Sequence, residues 1–254
     1  VHSHLCLKFF DKDREIVLQQ AKKQGVVAII DSGETLKEND CSLSLAEKFP
    51  ILLPCAGFSP KNLKPADAKL VQDHIRANSE TFIAIGEVGL DYWHVKEIGE
   101  REKQKKIFIS FIELAKELNK PIVVHSRSAG KYAIDLLIQN RAKKVCMHAF
   151  DGSAQSAKAG INAGYFFSIP PSVKFSQQKQ NFVRKIPIEN LLLESDSPSL
   201  GPVRGERNEP KNIVVSLGEI AKLKNLSKEE VARITTENAR KLFNLPDLCA
   251  PEKG

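Results

Sequence analysis

The 254-residue chain is short of several residue types, with one methionine, one tryptophan and three tyrosines. Its five cysteines (Cys6, Cys41, Cys55, Cys146 and Cys249) are odd in number and form no CxxC pair, which excludes a sulfur zinc cluster and a disulfide scaffold. Cys55 and Cys146 sit inside apolar runs, where a thiol behaves as a small hydrophobe. Reduced thiols are therefore expected, with the nucleus or cytoplasm as the setting. No apolar run approaches the ~20 residues of a membrane span, so no membrane partner is expected. Neither GxGxxG nor GxxxxGK[ST] occurs, which removes the usual phosphate loops of an open doubly wound sheet. The chain starts at Val1 without methionine, so the first strand is expected to be truncated at its N-terminus. The net charge of +7 suits a polyanionic ligand without demanding one.

Short apolar runs recur along the chain: VVAII (26–30), ILLPCAG (51–57), TFIAIGEVG (81–89), PIVVHS (121–126), KVCMHAF (144–150), GYFFSI (164–169) and LLLESD (191–196). With the stub VHSHL (1–5) they make eight, each apolar enough to be a parallel strand covered on both faces. Amphipathic helical stretches lie between them, at about 11–24, 65–79, 101–119, 128–140, 153–163, 174–185 and 211–224. Ser227 and Glu230 have the spacing of a capping box for a last helix. Eight strand–helix units without a linker predict a closed α/β TIM (β/α)8 barrel as a single domain over 1–254.

Active sites of such barrels form at the C-terminal ends of the strands, and polar residues close several of these runs. His2 and His4 close the first, Glu87 the fourth, His125 the fifth, His148 the sixth and Asp196 the eighth. Side chains alternate along a strand, so His2 and His4 face the same side and can share an ion. Glu87 at the end of a buried strand needs a counter-charge, met either by a lysine or by a cation. His125 or His148, taken singly, fits a satisfied core histidine as well as it fits a ligand. Together they imply a shared target, because imidazole with carboxylate is a usual ligand set for zinc, manganese or iron. His74, on a helix, and His94, in a loop, fall outside this pattern. Asp196 either caps the turn before Pro198 or serves the mouth, and Glu194, two residues deeper, is placed to orient a ligand.

The motifs HSHL (2–5), GEVGLDY (86–92), VVHSRSAG (123–130), HAFDG (148–152), GYFFSIPPS (164–172), ESDSPSLGP (194–202), RNEP (207–210) and TTENARKLF (235–243) together resemble the TatD family of metal-dependent deoxyribonucleases, within the amidohydrolase-like metal barrels. HAFDG, GYFFSIPPS and SPSLGP are most similar to its eukaryotic TatD-domain-containing protein 3 branch. The resemblance implies a barrel nuclease with a pair of divalent ions, zinc, magnesium or manganese. It places His2 and His4 on one ion, His125 and His148 on the other, Glu87 between them, and Asp196 on the first ion beside the attacking water. HAFDG departs from the HCFSG form common elsewhere in the family, which leaves the contacts of 150–153 open.

A two-ion site clamps the attacking and leaving oxygens of a phosphodiester, with Asp196 as proton acceptor and Glu87 setting the spacing. Arg127, Arg207 and Asn208 are the candidate phosphate contacts, each arginine having an ordinary solvated role as the alternative. Tyr92 and Trp93 offer aromatic faces to an unpaired base, or pack under a loop. The expected substrate is DNA, read without sequence preference, by 3′-end trimming or on single strands. No obligate protein partner is evident. A hydrolase of small esters, amides or phosphotriesters is the second reading, weakened by Glu87 standing where related barrels use a carboxylated lysine. A non-catalytic metal-stabilised scaffold is the third.

Overall fold

Ile29–Gly33 (β1), Leu52–Ala56 (β2), Ala84–Gly89 (β3), Ile122–His125 (β4), Val145–Met147 (β5), Phe166–Ile169 (β6) and Leu191–Leu193 (β7) form one seven-stranded sheet in chain order. Every neighbouring pair in it is parallel. A computed structural model describes residues 1–246; Cys249 and the last residues of the expected 1–254 barrel lie outside it. The stub 1–5 is not the regular strand that its pattern predicts. Ser3 alone makes parallel bridges, to Asp31 of β1 and to Ser197 beyond β7, and so joins the two edges of the sheet. Backbone bonds from Ser32 N to Ser3 O (2.8 Å) and from His4 N to Ser197 O (2.8 Å) secure both seams. The expected barrel is borne out, closed on one side by the backbone of the short segment around Ser3, which also bonds through His2 O to Asp196 N at 3.0 Å.

Helices pack outside the strands: Arg14–Lys23 (α1), Leu36–Lys48 (α2), Pro65–Ala77 (α3), Ile98–Glu117 (α4), Gly130–Gln139 (α5), Ala154–Asn162 (α6), Gln177–Lys185 (α7), Ile213–Lys224 (α8) and Lys228–Phe243 (α9). The capping box at Ser227 and Glu230 is present at the start of α9. Among the described residues no helix is long and apolar enough to cross a membrane. Cys6, Cys41, Cys55 and Cys146 are free thiols.

Two elements differ from the sequence expectation. α2 lies outside the expected helical stretches, because two of its three buried residues, Asn39 and Ser42, are polar and only Leu45 is apolar. Those groups are satisfied: the Asn39 side-chain amide bonds both the carbonyl and the N–H of Gly57, and the Ser42 hydroxyl donates to Asp31 O. β1 lies C-terminal to the expected 26–30 and takes in Asp31 and Ser32, both fully buried.

Pleating organises the inside of the barrel. Ile30, Cys55, Ala84, Val123, Cys146, Phe166 and Leu192, from successive strands, form one buried cluster that Leu242 and Phe243 of α9 join. Two residues further along a strand the side chain points the same way. That step leads from Ile30 to Ser32, Val123 to His125, Cys146 to His148, Phe166 to Ser168 and Leu192 to Glu194. The interior thus changes from apolar to polar over one pleat, at the end where strands terminate.

Candidate active site

The polar level lines a cavity of about 600 Å³ whose walls include His4, Glu34, Glu87, His125, His148, Asp196, Arg127 and Lys179. Glycine makes this approach possible at Gly57 and Gly89. A Cβ on Gly57 would overlap the Glu87 backbone, and one on Gly89, whose φ is +147°, would overlap the His125 carbonyl. Asp196 reaches the cavity from a left-handed backbone, φ +54°, which aspartate tolerates better than most residues.

Each histidine expected at a strand end is held by one ring nitrogen and presents the other to the centre. His4 Nδ1 lies 2.9 Å from Ser32 O, and His2 Nδ1 lies 3.2 Å from Ser32 Oγ. His148 Nδ1 lies 2.7 Å from Glu194 Oε2, which also accepts from Ser168 Oγ at 2.5 Å. His125 Nε2 lies 3.2 Å from Asp91 Oδ2. The opposite nitrogens converge on the acids. His2 Nε2 is 3.0 Å from Glu87 Oε2 and 3.0 Å from His4 Nε2, and His148 Nε2 is 3.5 Å from Glu87 and 3.6 Å from Asp196. His125 Nδ1 faces the other Glu87 oxygen at 3.3 Å.

Donor atoms of His2, His4 and Asp196 lie within 4.8 Å of one another, as do those of His2, Glu87 and His148. His2 belongs to both groups, and His125 stands at the edge of the second through Glu87. Glu87 Oε2 and His125 Nδ1 are buried without a properly oriented hydrogen-bond partner, a costly state for polar atoms unless something further binds there. Lone pairs of imidazole and carboxylate converging on so small a volume suit a divalent cation.

The electrostatics agree. Burial lowers His2 to about 3, helped by the neighbouring His148. Burial also opposes charge on His148 and His125, yet Glu194 and Asp196 hold the first at about 9, and Glu87 with Asp91 hold the second at about 10. Burial pushes Asp196 up to about 6 against the pull of His148 and His4. On Glu87 burial is outweighed by His125, His2 and His148, and its carboxyl stays well below the usual range. Protons on imidazoles thus supply the positive charge that the buried acids require, which a cation would supply instead.

The structure therefore brings His2, His4, Glu87, His125, His148 and Asp196 together with Glu194 behind them. It separates Arg207 and Asn208 from them. Arg207 forms ion pairs with Asp13 (2.6 Å) and Glu209 (2.8 Å), so its charge is already spent. Asn208 is buried, and its amide donates to Ser195 O and Ser199 O, which shapes the loop after β7. Neither lines the mouth cavity. Tyr92 is also buried, against Tyr132 and Arg101, and offers no free face. Trp93 is 54% exposed, with Arg127 over its ring at 4.9 Å.

Sequence reasoning missed Ser32, Asp91, Glu34 and Lys179. Asp91 is buried, and also bonds His94 Nδ1 at 2.7 Å, so His94 stands one contact behind His125. Glu34 follows β1 on the same face as Ser32, and burial together with Glu87 raises it to about 7. Two steps of two from Ile30 would have pointed to it. The ammonium of Lys179 bonds Ala149 O at 3.0 Å; no motif marks it.

The model of the TatD-related DNase family matches residues 1–244. A human protein named Deoxyribonuclease TATDN3 is 44% identical over 95% of this chain and 93% of its own length. A Bacillus subtilis protein named metal-dependent hydrolase YabD is 34% identical over 96% of this chain and 98% of its own length. The crystal structure of the Escherichia coli TatD homolog YJJV superimposes with a TM-score of 0.90 at 25% identity, covering 97% of each chain. A match of this extent, over a barrel whose histidines and acids meet at one mouth, makes the chain a member of the TatD-related DNase family.

Proposed function

We propose that the mouth cavity hydrolyses phosphodiester bonds of DNA, without sequence preference, and acts on single strands or 3′ ends. The observation that carries this reading is the pairing of each imidazole's fixed nitrogen with a free one: His2, His4, His125 and His148 are each anchored behind and open in front. His2, His4 and Asp196 would hold one divalent ion and His125 and His148 a second, with Glu87 between them; zinc, magnesium or manganese bound there supplies charge that acidifies water and neutralises the phosphoryl oxygens.

The chain's own groups do the rest. Glu194 keeps His148 Nδ1 occupied, Asp91 does so for His125 Nε2 and Ser32 O for His4 Nδ1, so the rings cannot turn away. Hydrolysis forms one P–O bond and breaks another. Asp196, when ionised, accepts the proton that the attacking water loses, and the open mouth lets solvent return one to the leaving oxygen. Arg127, at the cavity wall beside Trp93, is the phosphate contact that this reading retains. The free thiols are consistent with a nuclear or cytoplasmic location.

The test compares wild type, Glu87→Gln and Asp196→Asn on labelled single- and double-stranded DNA, with bound metal measured in parallel. Cleavage is expected to fall by about 10²–10⁴-fold in Asp196→Asn. Glu87→Gln is expected to lose cleavage together with at least one ion. Unchanged cleavage in either variant removes the role assigned to that residue. Hydrolysis of small esters with DNA left intact would replace the nuclease reading by that of a small-molecule hydrolase. DNA binding without turnover under every divalent ion would favour the scaffold.

A further inference from the structure

The end of the barrel opposite the mouth carries a cavity of about 430 Å³, between the turn from α4 into β4 and the turn from α5 into β5. Lys116, Lys120, Arg141, Lys143 and Lys144 line it over a floor that includes Ile112 and Ile122, and no aspartate or glutamate is among its walls. We infer that this cavity is a binding site for a small anion bearing several linked phosphates, such as inorganic triphosphate or the phosphate chain of a nucleotide. Such a site is independent of the chemistry at the mouth.

Two features point to that ligand. The first is unspent positive charge. Lys116 pairs with Glu113 at 2.9 Å. Lys144 Nζ donates to Asn119 O and to Asn119 Oδ1, both at 3.0 Å, which pins its ammonium to the neighbouring turn and leaves its charge unanswered. Among the described residues, the side chains of Lys120, Arg141 and Lys143 have neither ion pair nor hydrogen bond. Cations commonly follow helix C-termini, and α4 and α5 both end here. Each helix end is worth about half a negative charge, so the two ends together with Glu113 balance about two of the five cations and leave about three.

The second feature is a backbone position. Among the described helices, α1, α4, α5, α6, α8 and α9 end alike: an N–H bonds the carbonyl five residues before it, and the residue preceding that N–H is left-handed. In five of these turns that residue is Gly25, Asn119, Gly164, Asn225 or Asn244, the types that take the conformation at least cost. After α5 it is Arg141, with φ +57°. Its Cβ is a steric burden that glycine avoids, and the burden falls at the one turn where the side chain adds charge to this cavity. Linked phosphates offer oxygens to several cations at once, the guanidinium binding through paired N–H groups and the ammoniums acting as point charges. No aromatic ring lines the cavity, so nothing there stacks on a base, and its volume is that of a small-molecule site.

The test is calorimetric titration of sodium triphosphate into the full chain, stripped of metal on a chelating resin, at fixed ionic strength. Wild type should bind triphosphate at least about tenfold more tightly than orthophosphate, which meets fewer of the cations. Arg141→Gly should weaken triphosphate binding about tenfold and, by relieving the left-handed residue, raise the melting temperature. The double variant Lys120→Gln with Lys143→Gln should weaken it about tenfold as well. Lys37→Gln, at an exposed position at the start of α2, removes the same charge elsewhere and should leave the affinity unaltered. Circular dichroism checks that each variant is folded. Wild-type affinity in Arg141→Gly and in the double variant overturns the site, wherever else on the molecule the anion then binds. So does a DNA duplex that displaces triphosphate as an equal or tighter ligand and suffers the same loss in Arg141→Gly, since this end of the barrel would then be a surface for nucleic-acid backbone.

Discussion

Ile30, Val123, Cys146 and Leu192 fill the barrel with hydrocarbon and sulfur, and one pleat above them Ser32, His125, His148 and Glu194 present polar groups on the same strands. The lower level is complete in itself. Burial raises the Cys146 thiol to about 12, so it stays neutral and packs as an apolar group. The upper level is not complete, because it gathers acids and imidazoles whose charges balance only with added protons or added cations. Stability and chemistry are thus separated along the strand by a single step of two residues, and changes at each level should have different signatures.

The largest effect belongs to the upper level: cleavage lost in Asp196→Asn and Glu87→Gln, with the fold retained in unfolding curves. Leu192→Ala breaks the lower level instead. A fully buried leucine removed from a packed interior should cost about 2–5 kcal/mol in urea unfolding at fixed metal, with ion stoichiometry unchanged. If Leu192→Ala also emptied the site, the two levels would not be separable. Glu194→Gln sharpens the boundary between them. It keeps the shape but removes the charge behind His148, and metal affinity measured by competitive chelation should fall about 10–100-fold.

The smallest effect is one of pH. His148 and His125 are raised from 6.5 to about 9 and about 10 in the absence of a cation. Their contribution to folding is fully present below the ordinary imidazole value and is lost as pH rises through these higher ones. The metal-free protein should therefore lose stability over that window, while metal affinity rises across it. Cation uptake at pH 7 should release about two protons, measurable by calorimetry in buffers of differing ionisation enthalpy. Uptake without proton release would show that these rings are neutral before the ion arrives.

Legibility in the sequence followed the same division. The β-branched runs and their polar endings come from alternation along a strand, a local rule, and they marked the barrel along with His2, His4, Glu87, His125, His148 and Asp196. α2 escaped because two of its three buried residues are Asn39 and Ser42, whose burial is offset by specific hydrogen bonds rather than by hydrophobicity. Asp91 escaped because a small polar group that orients a ring carries no spacing of its own, and Ser32 because the expected first run stops at residue 30, one pleat short of it. Arg207 and Asn208 show the opposite case: their motif is visible, but partners distant in sequence, such as Asp13 for Arg207, decide what they touch. Tyr92 and Trp93 are chain neighbours with opposite fates, one packed against Tyr132 and the other open to solvent, which tertiary contact alone determines.

Ser3 closes the cylinder between two histidines that point into its mouth. The clasp and two of its cargo hooks are thus consecutive links of one short segment. An ion drawn to His2 and His4 tightens the seam at Asp31 and Ser197, and a seam that springs open carries both imidazoles away from their acids. Hydrogen exchange at the Ser32 and His4 amides, which bond across those seams, should accordingly slow when cation is added.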